Sequence, residues 1–283
     1  MLLVQEFLKT HSFDELEVQH GVFASIHKSK YKFSLNYDKK GDIEAKDTDP
    51  LACQCRGLIL ATADGKPMYC EFDAMGKRHY PAIGETVIVA HPMNRFFNEG
   101  QGAAAPIKWS DPNLKIFEKL DGTLIIVHFD HLSKQWHAAT RSVCEADLLM
   151  DNKIFTFRTL FEKALKDTFN MSWEDFTYFK LDPNITYCFE LTTPYNQIVV
   201  KYETCRITLI AARDKRTDLE LPIDTFDFPK PQTYSLNNIQ QILEWVSTLN
   251  PMEHEGVVVM DGNFNRIKVK NANYVAFSKC RDS

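Results

Sequence analysis

The sequence predicts an α+β domain built mainly on antiparallel β-sheets. Short apolar, β-branched runs recur along the chain, and only a few segments between them repeat apolar residues at helical spacing. Near the C-terminus a strong turn signal joins two such runs, as a hairpin requires. No internal repeat or low-complexity tract interrupts this pattern.

In chain order, residues 1–50 are mixed and charged and end in the polar loop DKKGDIEAKDTDP. RGLILAT (56–62) reads as a short strand, and NEGQGAAAPIKWSDPN (98–113) as a loop rich in Gly, Ala and Pro. In KIFEKLDGTLIIVHFD (115–130), Leu124, Ile125, Ile126, Val127 and Phe129 form a buried-strand signal. Gly122 just before it allows a sharp turn or a close backbone approach. Lys119 and Asp121 flank Leu120, so on an extended chain they share a face. A helix is expected over 154–169, with Ile154, Phe157, Phe161, Leu165 and Phe169 on one side. The segment 185–213 reads as strand-rich through YCFEL, QIVVKY and RITLIAAR. Residues 236–249 predict a second helix, with Ile239, Ile242, Leu243, Val246 and Leu249 on one face and Ser235 as its N-cap. EGVVVMD and RIKVK close the chain as strands joined around Asp261-Gly262-Asn263.

The 283 residues are 44% hydrophobic and 25% charged, enough for one large domain or two small ones. A formal net charge of -5 argues against a protein that coats nucleic acid, so any such contact is local, at an end or a nick. No apolar run is long enough to span a membrane. MLLVQEFLK has no basic leader and carries Glu6 early, which makes a poor signal peptide. Seven scattered cysteines read as reduced thiols of a cytoplasmic protein, and the Cys53/Cys55 pair lacks the second pair a zinc site needs.

Several strands carry ionisable residues where a purely structural strand would not place them. Glu190 sits in YCFEL, Glu255 opens EGVVV, Arg56 opens RGLIL, and Lys268 and Lys270 share one face of IKVK. Each alone is consistent with a solvated sheet face. Together, Asp121, Glu190 and Glu255 with Lys119, Lys268, Lys270 and Arg56 form a set that, if it converges, suits a phosphate chain and a hard cation such as Mg²⁺. Trp136, Trp173 and Trp245 read as core rather than stacking platforms, Phe96 and Phe97 as core with one of them near a bound nucleotide as the alternative, and the nine histidines carry no metal-type spacing. Arg213, Lys215 and Arg216 read as a solvated turn, with contact to a phosphate backbone as the functional alternative.

KLDG at 119–122 resembles motif I, KxDG, of the covalent nucleotidyltransferases: DNA ligases, RNA ligases and mRNA capping enzymes. The order that follows makes the resemblance specific. FELTTPYNQIV (189–199) is similar to the motif III region of phage-type RNA ligases, EGVVV (255–259) to motif IV and IKVK (267–270) to motif V. CRGLIL (55–60) looks like the upstream arginine element of the RNA ligase 1 family. PMNRFFNEGQ (92–101) looks like its KFFN element, and ATRSV (139–143) like the strand after motif I. Two departures stand out: Arg95 replaces the KFFN lysine, and Thr123 stands where a serine is common.

The resemblance implies a nucleotidyltransferase fold, the catalytic-domain fold of ATP-dependent ligases, in a single domain (1–283) whose motif-bearing core is 51–275. It leaves no room after Lys270 for an OB-fold or helical C-terminal domain, which reads as a minimal enzyme or a catalytic-domain fragment. It implies an ATP-dependent RNA ligase. Lys119 takes AMP from ATP, the AMP passes to a polynucleotide 5′-phosphate, and a 3′-hydroxyl then seals the strand. It assigns Lys119 as nucleophile, with Lys268 and Lys270 neutralising the α-phosphate. Arg56 and Arg95 orient the β- and γ-phosphates, and Asp121, Glu190 and Glu255 surround a hydrated Mg²⁺ or Mn²⁺. Glu190 has a ribose contact as its other role. The expected partners are RNA ends or nicked RNA, with DNA open, and the protein is expected to be a monomer in the cytoplasm, the host's if the protein is viral. Bringing a lysine from about 10.4 to near neutrality takes roughly three pKa units, expected from Lys268, Lys270 and the metal. The competing readings are a capping-type guanylyltransferase and a non-catalytic module that binds a nucleotide or an RNA end.

Overall fold

Leu120–Gly122 carry the chain from one sheet into another, and the fold is organised around that crossing. The computed structural model describes residues 1–37, 49–147 and 154–281. Most of the polar loop expected over 38–50 lies outside the described residues. The first elements are α1 (Leu3–Leu8), α2 (Phe13–His20), β1 (Val22–Ile26), β2 (Lys32–Tyr37), α3 (Pro50–Gln54), β3 (Arg56–Thr62), β4 (Glu71–Phe72), β5 (Arg78–His79) and β6 (Thr86–Ala90). There follow β7 (Phe97–Asn98), β8 (Lys115–Lys119), β9 (Thr123–Asp130), β10 (Gln135–Thr140), α4 (Phe157–Phe169), α5 (Trp173–Lys180), β11 (Ile185–Thr192), β12 (Arg206–Asp214) and β13 (Leu219–Leu221). The last are β14 (Thr233–Tyr234), α6 (Ile239–Thr248), β15 (Gly256–Met260), β16 (Arg266–Lys270) and α7 (Ala272–Arg281).

Three larger sheets result. An N-terminal sheet has the order β1-β2-β3-β6, a central sheet β10-β9-β11-β12-β13, and a lysine-bearing sheet β14-β8-β15-β16-β7. Pairing is antiparallel except between β16 and β7. The α+β class expected from sequence is therefore the observed one.

Alternation of side chains places the cores. On the central sheet, Ile125, Val127, Tyr187, Phe189 and Leu191 face α4 and α5, meeting Phe161, Leu165, Trp173 and Phe176. The opposite face offers Leu124, Ile126 and Cys188 to Ile59, Ala61 and Val89 of the N-terminal sheet. On the lysine-bearing sheet, Ile116, Val257, Val259, Ile267 and Val269 pack under Ile242 and Val246 of α6. Trp173 and Trp245 are thus core or core-edge residues, as expected. Among the described residues no helix is long and apolar enough to cross a membrane.

Three local expectations are corrected. The N-cap of α6 is Asn238, whose side chain accepts from the Gln241 N–H, and not Ser235 three residues earlier. Ile154 lies before α4 and is exposed, because Thr156 caps the helix one turn later than the apolar pattern suggests. QIVVKY forms no strand; its backbone turns aside and spends the Val199 and Val200 N–H groups on Asp121.

Candidate active site

Lys119 is the last residue of β8 and lies opposite Gly256 of β15, which in turn lies opposite Lys270 of β16. Directly opposed residues share a face, so two lysines flank a position that has no side chain. Gly256 has φ +146°, and a Cβ there would sit 2.1 Å from the Val269 carbonyl oxygen. Glu255, one residue earlier, is buried, and its Oε1 accepts from Lys119 Nζ at 2.9 Å and from Lys270 Nζ at 2.8 Å. Lys268 is on the same strand face as Lys270, with its Nζ 5.6 Å from the Phe96 ring. The Arg56 guanidinium, at the start of β3, also lies 5.6 Å from that ring.

The central sheet contributes Glu190 from β11. Its Oε1 accepts from the Gly122 N–H at 3.1 Å, and this close approach explains the glycine. A Cβ at Gly122 would meet the Leu191 carbonyl oxygen at 2.4 Å. The site thus forms where the three sheets meet, and Lys119, Lys268, Lys270, Arg56, Glu190 and Glu255 come into one electrostatic cluster.

The cluster is not evenly balanced. Burial raises the Glu190 carboxyl to about 7, with Lys119 opposing the rise and Glu255 adding to it. Burial, then Lys270, Lys119 and Arg56, bring Lys268 down to about 7. For Lys119 burial also works downward, but Glu255 and Glu190 outweigh it and hold its pKa above the ordinary lysine value. The drop expected from Lys268, Lys270 and a metal together is therefore not supplied by the protein's own side chains: Glu255 and Glu190 hold the Lys119 proton. Arg56 Nη1 is buried without a partner, which is costly unless an anion is bound there.

Asp121 is placed differently from the other two carboxylates. It is 3% exposed; its Oδ1 accepts from Tyr274 Oη at 2.6 Å and its Oδ2 from the Val199 and Val200 N–H groups at 2.9 and 2.8 Å. Its own N–H donates to Tyr202 Oη at 3.1 Å. Both oxygens serve as anchors for α7 and for the turn after β11. Asp121 therefore does not join Glu190 and Glu255 in a three-carboxylate cluster, and no group of three or more His, Cys, Asp or Glu suited to a metal occurs among the described residues.

Arg95 packs over Tyr37 and Phe97, its Cζ 4.2 and 4.6 Å from the ring centroids. On the same tyrosine lies Arg141, at 5.4 Å, with Nη1 donating to Tyr37 Oη at 3.5 Å. Burial lowers the Arg141 pKa, with Tyr37 opposing the fall and the charges of Arg56 and Arg95 adding to it. Sequence reasoning missed Tyr37, Arg141, Tyr202 and Tyr274. Only Arg141 left a signal, as the charged residue of ATRSV. The solvated-turn reading of Arg213, Lys215 and Arg216 holds for Arg216 alone. Arg213 is buried against Asp218 and Glu220, and Lys215 donates to the Phe129 carbonyl.

The fold is that of a ligase-type nucleotidyltransferase. An archaeal ATP-dependent RNA ligase (form 2) superposes with a TM-score of 0.51 at 17% identity, covering 99% of this chain and 65% of that one. That likeness concerns the fold alone. The RNA ligase family model RNA_lig_T4_1 matches residues 54–274, and the chain belongs to this family. Among curated relatives, a protein of Autographa californica nuclear polyhedrosis virus, named as a proposed bifunctional polynucleotide kinase/RNA ligase, is 29% identical over 257 residues, 87% of this chain and 33% of that protein. An RNA ligase of Rhodothermus phage RM378 is 28% identical over 174 residues, 56% of this chain and 36% of that one. The chain spans about a third of the length of these relatives.

Proposed function

We propose that this chain is an ATP-dependent RNA ligase module that works through a covalent AMP adduct on Lys119. Residues 1–283 act as one nucleotidyltransferase unit, with the motifs in 51–275. The observation that supports this most is the placement of one half-buried lysine at the end of β8 among Glu255 before β15, Glu190 of β11, and Lys268 and Lys270 of β16.

In the first step the Lys119 amine attacks the α-phosphorus of ATP. An N–P bond forms, the bond to the pyrophosphate oxygen breaks, and the lysine proton passes to solvent. In the second step a 5′-phosphate oxygen of the RNA attacks that phosphorus, the N–P bond breaks, and the amine leaves and takes a proton up. In the third, a 3′-hydroxyl attacks the activated 5′-phosphorus, a phosphodiester forms, AMP leaves, and the hydroxyl proton goes to solvent. Lys268 and Lys270 face the charge that develops on the phosphoryl oxygens. Arg56, Arg95 and Arg141 hold the leaving pyrophosphate opposite the amine.

Half-buried Glu190 and buried Glu255, both beside Lys119, fit a hydrated Mg²⁺ or Mn²⁺, an ion that prefers oxygen ligands and keeps much of its water. Such an ion would neutralise the charges that hold the Lys119 proton. The ligase acts on RNA ends or nicks in a reducing, cytoplasmic setting, where its free cysteines remain thiols.

Incubation with α-labelled ATP or α-labelled GTP, followed by denaturing electrophoresis, tests this. The expected result is label from ATP only, absent from Lys119→Ala. Label from GTP alone favours a capping-type transfer, and no label from either favours a binding module.

A further inference from the structure

A cavity of about 430 Å³ adjoins the ion cluster, yet Lys119, Glu190, Glu255 and Lys268 do not line it. Its walls include Arg95, Phe96 and Phe97 on one side and the loop Asn263–Arg266 on the other. Phe96 is the shared partition, since its ring also lies 5.6 Å from both Arg56 and Lys268. Arg266, Lys268 and Lys270 occupy one face of β16, so the cavity continues the cationic row outward, about 13 Å from Lys270.

The chemistry of the lining points to a ring and not to a phosphate. Arg266 donates both guanidinium nitrogens to Glu220, at 2.9 and 2.7 Å, and Arg213 is held by Glu220 and by the Asp218 carbonyl. Those cations are neutralised. Apart from Arg95, whose guanidinium packs over Tyr37 and Phe97, the lining then carries three phenylalanines, Phe96, Phe97 and Phe264, with asparagine amides beside them. Phe264 has φ +63°, a left-handed conformation that bulky residues rarely adopt. The buried Asp261 holds the loop there: its carboxylate accepts from the Asn263 and Asn265 N–H groups, and its carbonyl accepts from the Phe264 N–H. Strained backbone of this kind concentrates where a side chain has to be presented.

In-line displacement fixes what comes to this place. The attacking and leaving groups lie on opposite sides of the phosphorus. When the RNA 5′-phosphate attacks the Lys119 adduct it therefore enters where pyrophosphate left, on the Arg56–Arg95 side. Its first nucleoside then lies beside Arg95. We propose that the cavity between Phe96 and Phe264 receives the base of the 5′-terminal nucleotide of the strand being activated. This rests on the ligase reading above and names the strand-binding pocket of that site.

The test uses purified lysyl-AMP protein and a 5′-phosphorylated RNA oligonucleotide whose first residue carries a base or is abasic. Phe264→Gly removes the ring and keeps a backbone that favours positive φ. In the unaltered protein the abasic substrate is expected to raise the half-saturating RNA concentration for AMP transfer about 10-fold, the scale of one base–aromatic stack. Phe264→Gly is expected to raise it similarly for the normal substrate and to show no further response to the abasic one. Phe264→Tyr restores discrimination, and labelling of Lys119 by ATP stays within about twofold throughout. A variant that discriminates as well as the unaltered protein, or an unaltered protein indifferent to the base, overturns the assignment while leaving the ligase reading intact. Failure of the unaltered protein to form the adduct overturns both.

Discussion

Strand β9 has a charged cluster at each end, and the two are built to opposite standards. At its far end Asp130 is fully buried against Lys32, with Oδ2 accepting from Lys32 Nζ at 3.1 Å and from Tyr31 Oη at 2.8 Å. Its Oδ1 accepts from the Leu132 and Ser133 N–H groups. Although burial works upward, the Tyr31 hydrogen bond and Lys32 hold the Asp130 carboxyl far below its usual range. At the near end, Glu190 sits at about 7, Lys268 at about 7, and Arg56 Nη1 has no partner. The first cluster is complete within the protein. The second keeps an unpartnered guanidinium nitrogen and two groups shifted toward neutrality, the pattern that sets a candidate site apart from a strut.

The largest expected effect breaks the strut. Lys32→Met leaves Asp130 charged and buried without its cation, which costs about 3–5 kcal/mol. At roughly 2–4 °C per kcal/mol for a chain of this size, the melting temperature falls by about 6–20 °C. Calorimetry checks this, and labelling of Lys119 per folded molecule at low temperature is expected to persist. Loss of labelling with little loss of stability would reverse the roles of the two clusters.

Glu190→Gln sharpens the contrast through pH. The folded state holds the Glu190 proton up to about 7, whereas the unfolded chain releases it near the ordinary value. Folded protein therefore binds more protons between those values, and stability falls as pH rises through that window. The glutamine variant is expected to melt several degrees above the unaltered protein at pH 8.5 and to lose most of that advantage at pH 5. Labelling of Lys119 falls at both. An equal gain at the two pH values would contradict the assigned burial cost.

Smaller still is Tyr274→Phe, which removes one hydrogen bond to the Asp121 carboxylate, about 1.5–3 kcal/mol for a charged partner. The expectation is a melting temperature lower by several degrees, with the Mg²⁺ concentration that half-activates labelling unchanged. A shift in that concentration would restore Asp121 to the metal.

Much of this site was legible because its residues interrupt apolar strands. Lys119, Glu190, Glu255, Lys268, Lys270 and Arg56 each stood where burial alone argues against a charge. What the sequence hid depended on long-range turns. Tyr37 and Tyr274 are ordinary tyrosines far apart in the chain. The hydrogen bonds of Asp121 required QIVVKY to abandon the strand its composition favours. The sequence set Lys268, Lys270 and a metal against the Lys119 proton and gave no sign that Glu255 and Glu190 hold it. Spacing showed Lys268 and Lys270 nearby but not that Glu255 reaches both Lys119 and Lys270.

The most direct measurement is peptide mass spectrometry after incubation with ATP and Mg²⁺. One added AMP mapped to Lys119 is the expected result. Adduct on Lys268, which burial and its cationic neighbours bring down to about 7, or no adduct at all, would contradict the account.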